Sequence, residues 1–186
     1  MNTGDWADTR IGRPVLRLLA AVMESRLRYR YLPPEKILRG AGVTPGQAVL
    51  ELGPGTGFFT LPAARLLGEQ GSLVAIDPLP QSVAAVAARV QAAGLTNTRV
   101  IVGDALVTGL ETESLDGVLI FGVIPAPRLP LDQLLREMHR VLRPGGTIAV
   151  WPPSWVHRQI RRSGIFAYSG TRHGVMNYVR AAGDPA

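Results

Sequence analysis

From Gln47 onward the chain alternates short, almost continuous apolar runs with longer stretches in which apolar residues recur every three or four positions. The short runs, 47–52, 72–77, 98–102, 115–121 and 146–151, predict strands buried on both faces. The longer stretches, 58–69, 80–93 and 130–142, predict helices. Such strands separated by helices argue for a parallel sheet covered on both sides, and right-handed crossovers lead to a doubly wound α/β arrangement. Residues 104–116 are rich in Thr, Gly and Glu and too few for a long helix, so a loop is expected. Further on, 154–162 predicts a short helix. Residues 165–169 and 175–180 then predict two strands joined around 171–174, an antiparallel hairpin rather than another crossover.

Ahead of this domain, residues 13–30 place Leu16, Leu19, Ala20, Met23 and Leu27 on one helical stripe, with Arg13, Arg17 and Arg28 off it. The Pro33–Pro34 step ends that helix and starts a short one, which Gly40 is expected to close. The expected organisation is an amphipathic helical lid over residues 1–32 and one α/β domain over residues 33–186, which suits a chain of 186 residues.

Composition narrows the chemistry. There is no cysteine, which excludes disulfides, thiolate metal sites and a cysteine nucleophile and lends secretion no support. His139, His157 and His173 stand at no metal-ligand spacing, so no metal is expected. The formal charge of +6 is carried almost wholly by arginine, Lys36 being the single lysine, and suggests either an anionic partner or a solvated arginine-rich surface. The first residues are acidic and polar, and no apolar stretch reaches the roughly 18 residues a bilayer span needs, so a cytoplasmic protein is expected.

The most informative segment runs from Ala48 to Thr60: a buried strand, Glu51 as its second-to-last residue, then Gly53-Pro54-Gly55-Thr56-Gly57 and a helix. Such a turn brings backbone N–H groups and a helix start against a nucleotide-like ligand, with glycine where a Cβ would collide. The even spacing of Gly53, Gly55 and Gly57 departs from the Gly-x-Gly-x-x-Gly spacing of nicotinamide and flavin sites. Asp77, followed by Pro78, ends the next strand about twenty residues on, where a carboxylate can accept hydrogen bonds from ribose hydroxyls or cap a helix. Asp104 and Ala105 follow the third strand, and Phe121 ends the fourth.

Glu51 with the glycine turn, Asp77, Gly103-Asp104-Ala105, the strand ending in Phe121, and Leu142-Arg143-Pro144-Gly145-Gly146 together resemble the class I, Rossmann-like methyltransferases that use S-adenosylmethionine (SAM). The similarity covers roughly residues 33–151. It implies a mostly parallel seven-stranded sheet in the order 3-2-1-4-5-7-6, with strand 7 antiparallel. It also implies that Glu51 orients the methionine part of SAM, Asp77 holds the ribose, and Asp104 and the Ala105 backbone meet the adenine. Gly53, Gly55, Gly57, Pro78 and Phe121 complete the expected cofactor set.

The implied reaction is transfer of the sulfonium methyl to a small-molecule acceptor, leaving S-adenosylhomocysteine. Base-modifying enzymes of the family carry Asn/Asp-Pro-Pro-Tyr after the fourth strand. This chain has Phe121-Gly122-Val123-Ile124, which argues against a nucleic-acid acceptor. No acid–base residue is evident there; Tyr29, Tyr31, His157 and His173 are the weak catalytic candidates. The alternatives are a membrane-associated acceptor such as a phospholipid amine or quinone precursor, reached through peripheral contact of the N-terminal helix, a catalytically silent SAM-binding regulator, and a nicotinamide-dependent oxidoreductase.

Overall fold

A computed structural model describes residues 31–123, 130–152 and 156–181. The amphipathic helix expected over 13–30, and with it nearly all of the expected lid, lies outside the described residues.

The elements follow the hydrophobic pattern closely. They run α1 (Pro34–Gly40), β1 (Ala48–Leu52), α2 (Thr60–Leu67), β2 (Ser72–Asp77), α3 (Pro80–Ala92), β3 (Thr98–Val102), β4 (Leu115–Phe121), α4 (Leu131–Val141), β5 (Leu142–Trp151), α5 (His157–Arg162), β6 (Phe166–Arg172) and β7 (Val175–Arg180). All seven strands form one sheet in the order β3-β2-β1-β4-β5-β7-β6. The first five strands pair in parallel, and β7 pairs antiparallel with both β5 and β6. This is the doubly wound, Rossmann-like arrangement with a hairpin at one edge.

Alternation along the strands builds two cores. Leu50, Leu52, Val118, Ile120, Ile148 and Val150 face α4 and α5, where they meet Leu134, Met138 and Ile160. Val49, Leu73, Leu119 and Ala149 face α1 and α2, against Leu38, Ala63 and Leu67. The central strands β1, β2, β4 and β5 therefore bury side chains on both faces, which is why they read as continuous apolar runs. β3, expected to be buried likewise, lies at the sheet edge and is half-buried or exposed throughout.

Two further expectations need correction, and a third needs a different reason. The fifth strand starts at Leu142, not Gly146: Leu142 pairs with Leu115, and pairing then resumes at Gly117 with Thr147, so 143–146 bulge out of the ladder. The penultimate strand runs to Arg172, leaving a two-residue hairpin turn, His173 and Gly174, both at positive φ as a type I′ turn requires. α1 does end at Gly40, but the left-handed residue beyond its end is Gly42, so Gly40 is not there as a cap. A Cβ at Gly40 would lie 2.5 Å from the Arg172 carbonyl oxygen. Gly40 is glycine because the hairpin backbone presses on it. The contact is fastened by the buried Asn177, whose side-chain amide donates to the Gly40 carbonyl at 3.0 Å.

Candidate active site

Three acids line the carboxyl ends of β1, β2 and β3, neighbouring strands of the sheet. This edge is where open α/β sheets bind ligands.

Glu51 is 2% exposed, on a strand flanked by β2 and β4. Burial pushes its carboxyl up from 4.5 to about 7, and the neighbouring Thr60 hydroxyl draws it partly back. No well-formed hydrogen bond joins them, however. Glu51 Oε2, Thr60 Oγ1 and Thr56 Oγ1 are the buried side-chain polar atoms without a partner among the described residues. Buried polar groups are nearly always satisfied. The three orphans gather at one strand–turn–helix junction.

The turn between them is held open. Gly53 donates to the Ile76 carbonyl at 2.8 Å, Gly57 donates to the Pro54 carbonyl at 2.8 Å, and Arg89 of α3 donates to the Thr56 carbonyl at 2.6 Å. Gly53, Gly55 and Gly57 all have positive φ. At Gly53 a Cβ would also lie 2.8 Å from Val123, whereas at Gly55 it would meet nothing closer than 3.9 Å. Among the described residues the space above the turn is therefore free at Gly55.

Asp77 is 6% exposed and accepts the Leu79 N–H through Oδ1 at 2.9 Å, and among the described residues Oδ2 has no hydrogen-bond partner. This bond closes a turn ahead of α3, whose N-cap is Leu79 and which has no side-chain cap, so Asp77 is not the helix cap. Pro78 and Leu79 are exposed beside it. Asp104 is exposed and uses Oδ1 to accept the Leu106 N–H at 2.8 Å, closing the turn that holds Ala105. The structure brings Glu51, the glycines, Asp77, Asp104 and Ala105 to one edge. Phe121 reaches the same edge, but its ring is buried against Phe59 and Trp151, at centroid distances of 4.8 and 6.3 Å. Any contact it makes with a ligand falls to its backbone.

The four catalytic candidates separate. Tyr29 lies outside the described residues. Tyr31 and His173 share a cleft of about 250 Å³ with Lys36, Ile37 and Trp151. Trp151 links that cleft to the glycine turn, because its ring packs on Phe59, 5.5 Å away, two residues after Gly57. His157 is elsewhere, at the start of α5: its Nδ1 lies 2.7 Å from the Tyr178 hydroxyl of β7.

Sequence reasoning missed Thr56, Thr60, Lys36 and Trp151. A hydroxyl in the first helical turn after a strand acid was a usable signal for Thr60. Lys36 and Trp151 carried none, since they meet only through tertiary packing. Among the described residues no group of three His, Cys, Asp or Glu side chains could hold a metal ion, and no helix is long and apolar enough to cross a membrane.

Comparison with known proteins agrees with this geometry. The family described as a methyltransferase domain matches residues 49–146. A demethylmenaquinone methyltransferase from Shouchella clausii is 36% identical over 107 residues, 57% of this chain and 45% of the relative. A protein-L-isoaspartate O-methyltransferase from Archaeoglobus fulgidus is 31% identical over 107 residues, 57% of this chain and 48% of the relative. The chain thus spans about half the length of these curated relatives. Among solved structures, a SAM-dependent methyltransferase from Aquifex aeolicus superposes with a TM-score of 0.73 at 21% identity, over 85% of this chain and 94% of that one.

Proposed function

The chain belongs to the methyltransferase-domain family, and from that premise we propose that it transfers a methyl group from SAM to a small, partly aromatic acceptor of the quinol or phenol class. The observation that carries the proposal is the orphaned carboxylate of Glu51 beside the open glycine turn. A cationic, hydrogen-bonding ligand satisfies that carboxylate; a dinucleotide phosphate would meet its charge head-on.

When bound, SAM supplies a methyl group already activated on a sulfonium, so the protein's work is alignment and exclusion of water. Glu51 offers its unpaired oxygen to the ligand ammonium, and Thr56 and Thr60 offer hydroxyls nearby. Asp77 keeps Oδ2 for a ribose hydroxyl while Oδ1 holds the turn ahead of α3. Asp104 and the Ala105 backbone serve the adenine. The aromatic ring cluster of Phe58, Phe59, Phe121 and Trp151 forms the dry wall between the turn and the neighbouring cleft.

The acceptor is assigned to that cleft. Trp151 and Ile37 give it an apolar surface. Lys36 and His173 give it groups that favour an ionised hydroxyl on the acceptor, the state in which an aromatic ring or its oxygen is most nucleophilic. The name of the Shouchella clausii relative supports a quinone-type acceptor. The test is formation of S-adenosylhomocysteine with a panel of naphthoquinols, phenols, thiols and amines. Turnover with the quinols or phenols, lost in a Trp151→Ala variant that still binds SAM, is the expected result. Turnover with amines or thiols alone would sink the acceptor assignment, and absence of SAM binding would sink the whole reading.

A further inference from the structure

Between Glu137 and Asp184 the chain carries seven arginines and no acid, against a formal charge of +6 for all 186 residues. The net positive charge of the protein is therefore concentrated in its last strands and α5. Three of these arginines are neutralised: Arg140 by Glu137, Arg143 by Asp116 and Arg180 by Glu113. Arg158, Arg161 and Arg162 have no ion-pair partner among the described residues, and all three are exposed on α5.

Helix α5 is anchored from below, with Ile160 and Phe166 of β6 in the same core. Its outer side lines an open cleft of about 400 Å³, formed by His157, Arg158, Arg161 and Arg162. Arg158 faces Arg161 and Arg162 at i,i+3 and i,i+4, where like charges repel. Arg161 and Arg162 at least suit the negative end of the helix, but Arg158 stands in its first turn, at the positive end. Helix stability does not account for that cation. His157 is fixed on the same cleft, its Nδ1 at 2.7 Å from the Tyr178 hydroxyl and its ring edge-on to Tyr168 at 4.9 Å. A clustered, unpaired set of planar guanidinium forks around one held imidazole is the chemistry that recognises phosphate.

We propose that the α5 cleft binds a phosphate-bearing anion, separately from the cofactor edge. The anion is either the headgroup of an anionic lipid or a soluble phosphate compound, and two probes distinguish these sources. Titration calorimetry with inorganic pyrophosphate reports the soluble source. Sedimentation with phosphatidylglycerol–phosphatidylcholine vesicles, against phosphatidylcholine alone, reports the lipid.

Each is run on the full chain and on two triple variants, with melting temperatures and SAM binding measured alongside. One variant is Arg158→Gln/Arg161→Gln/Arg162→Gln. The charge-matched control, Arg39→Gln/Arg65→Gln/Arg99→Gln, changes exposed arginines on other elements. Binding of at least one probe, weakened roughly tenfold or more in the α5 variant and less than about twofold in the control, is expected. Binding of neither probe by the parent chain overturns the proposal. Equal loss in both variants also overturns it, since that would report net charge rather than a site. SAM binding unchanged in the α5 variant separates failure here from failure of the cofactor reading.

Discussion

Glu51→Gln is the most searching perturbation, because one substitution tests burial and ligand together. Burial raises the Glu51 carboxyl from 4.5 to about 7. The folded protein therefore binds more protons than the unfolded chain between those values, and its stability falls as pH rises through that window. With about 1.4 kcal/mol for each tenfold change in proton affinity, the loss accumulated between pH 5 and pH 8 is about 2.5 kcal/mol. Glutamine removes that pH-dependent cost but leaves an unpaired amide, a cost of about 1–3 kcal/mol that does not vary with pH. The stability of the variant relative to its parent should thus improve by about 2.5 kcal/mol between pH 5 and pH 8. For a domain of this size that is a relative gain in melting temperature of about 5–10 °C. Thermal unfolding of both ligand-free proteins across that range measures it. The same series with SAM should show the parent's affinity rising through pH 7, as the carboxylate forms opposite the ligand ammonium. The variant should bind roughly 10- to 100-fold more weakly at pH 8 and with little pH dependence. A stability difference that stays flat with pH would refute the burial argument. A parent affinity that stays flat would refute the pairing of Glu51 with a cation.

Asp77→Ala should weaken SAM by roughly 10- to 100-fold in calorimetry, the loss of about 1.5–3 kcal/mol for hydrogen bonds to a charged acceptor; unchanged affinity removes the ribose assignment. Asp104→Ala should weaken SAM and S-adenosylhomocysteine by the same factor, because both carry the same adenine, and a selective effect would move this residue to the reacting end. Gly40→Ala puts a methyl 2.5 Å from the Arg172 carbonyl oxygen and should cost about 1–3 kcal/mol in denaturant unfolding; no loss would mean that hairpin and helix part freely. Glu137 accepts from Arg140 and from the backbone and hydroxyl of Thr108, which hold its carboxyl down at about 2. Its contribution is complete above 4.5 and disappears as pH falls towards 2, so Glu137→Gln should flatten acid unfolding in that window.

How much of this was legible in the sequence follows from how local each cause is. The central strands announced themselves because burial on both faces forces a continuous apolar run. The order in which β7 inserts between β5 and β6 came from family resemblance alone, since periodicity carries no information about lateral neighbours. That Glu51, Asp77 and Asp104 lie together at one sheet edge was readable because each is fixed by its place at a strand end. The ring of Phe121 was not: whether an aromatic at a strand end faces ligand or core depends on Phe59 and Trp151, which arrive from other strands and turns. The cleft of Tyr31, Lys36, Trp151 and His173 escaped for the same reason, being assembled from α1, β5 and the β6–β7 turn. The helix end at Gly40 was legible but its reason was not, since the carbonyl that demands a glycine there lies far along the chain.

The seating of β7 between β5 and β6 has a consequence for biosynthesis. During synthesis β5 emerges with its outer edge unpaired, and the strand that covers it, Val175–Arg180, is preceded by α5 and β6, which cannot bridge the gap themselves. Until Asn177 arrives, the Gly40 carbonyl also lacks its buried donor. The first described helix is therefore secured only after the last described strand has left the ribosome. From the emergence of Trp151 until that of Val175 the nascent chain carries an open, apolar sheet edge, the interval in which a chaperone or a neighbouring nascent chain has most access to it.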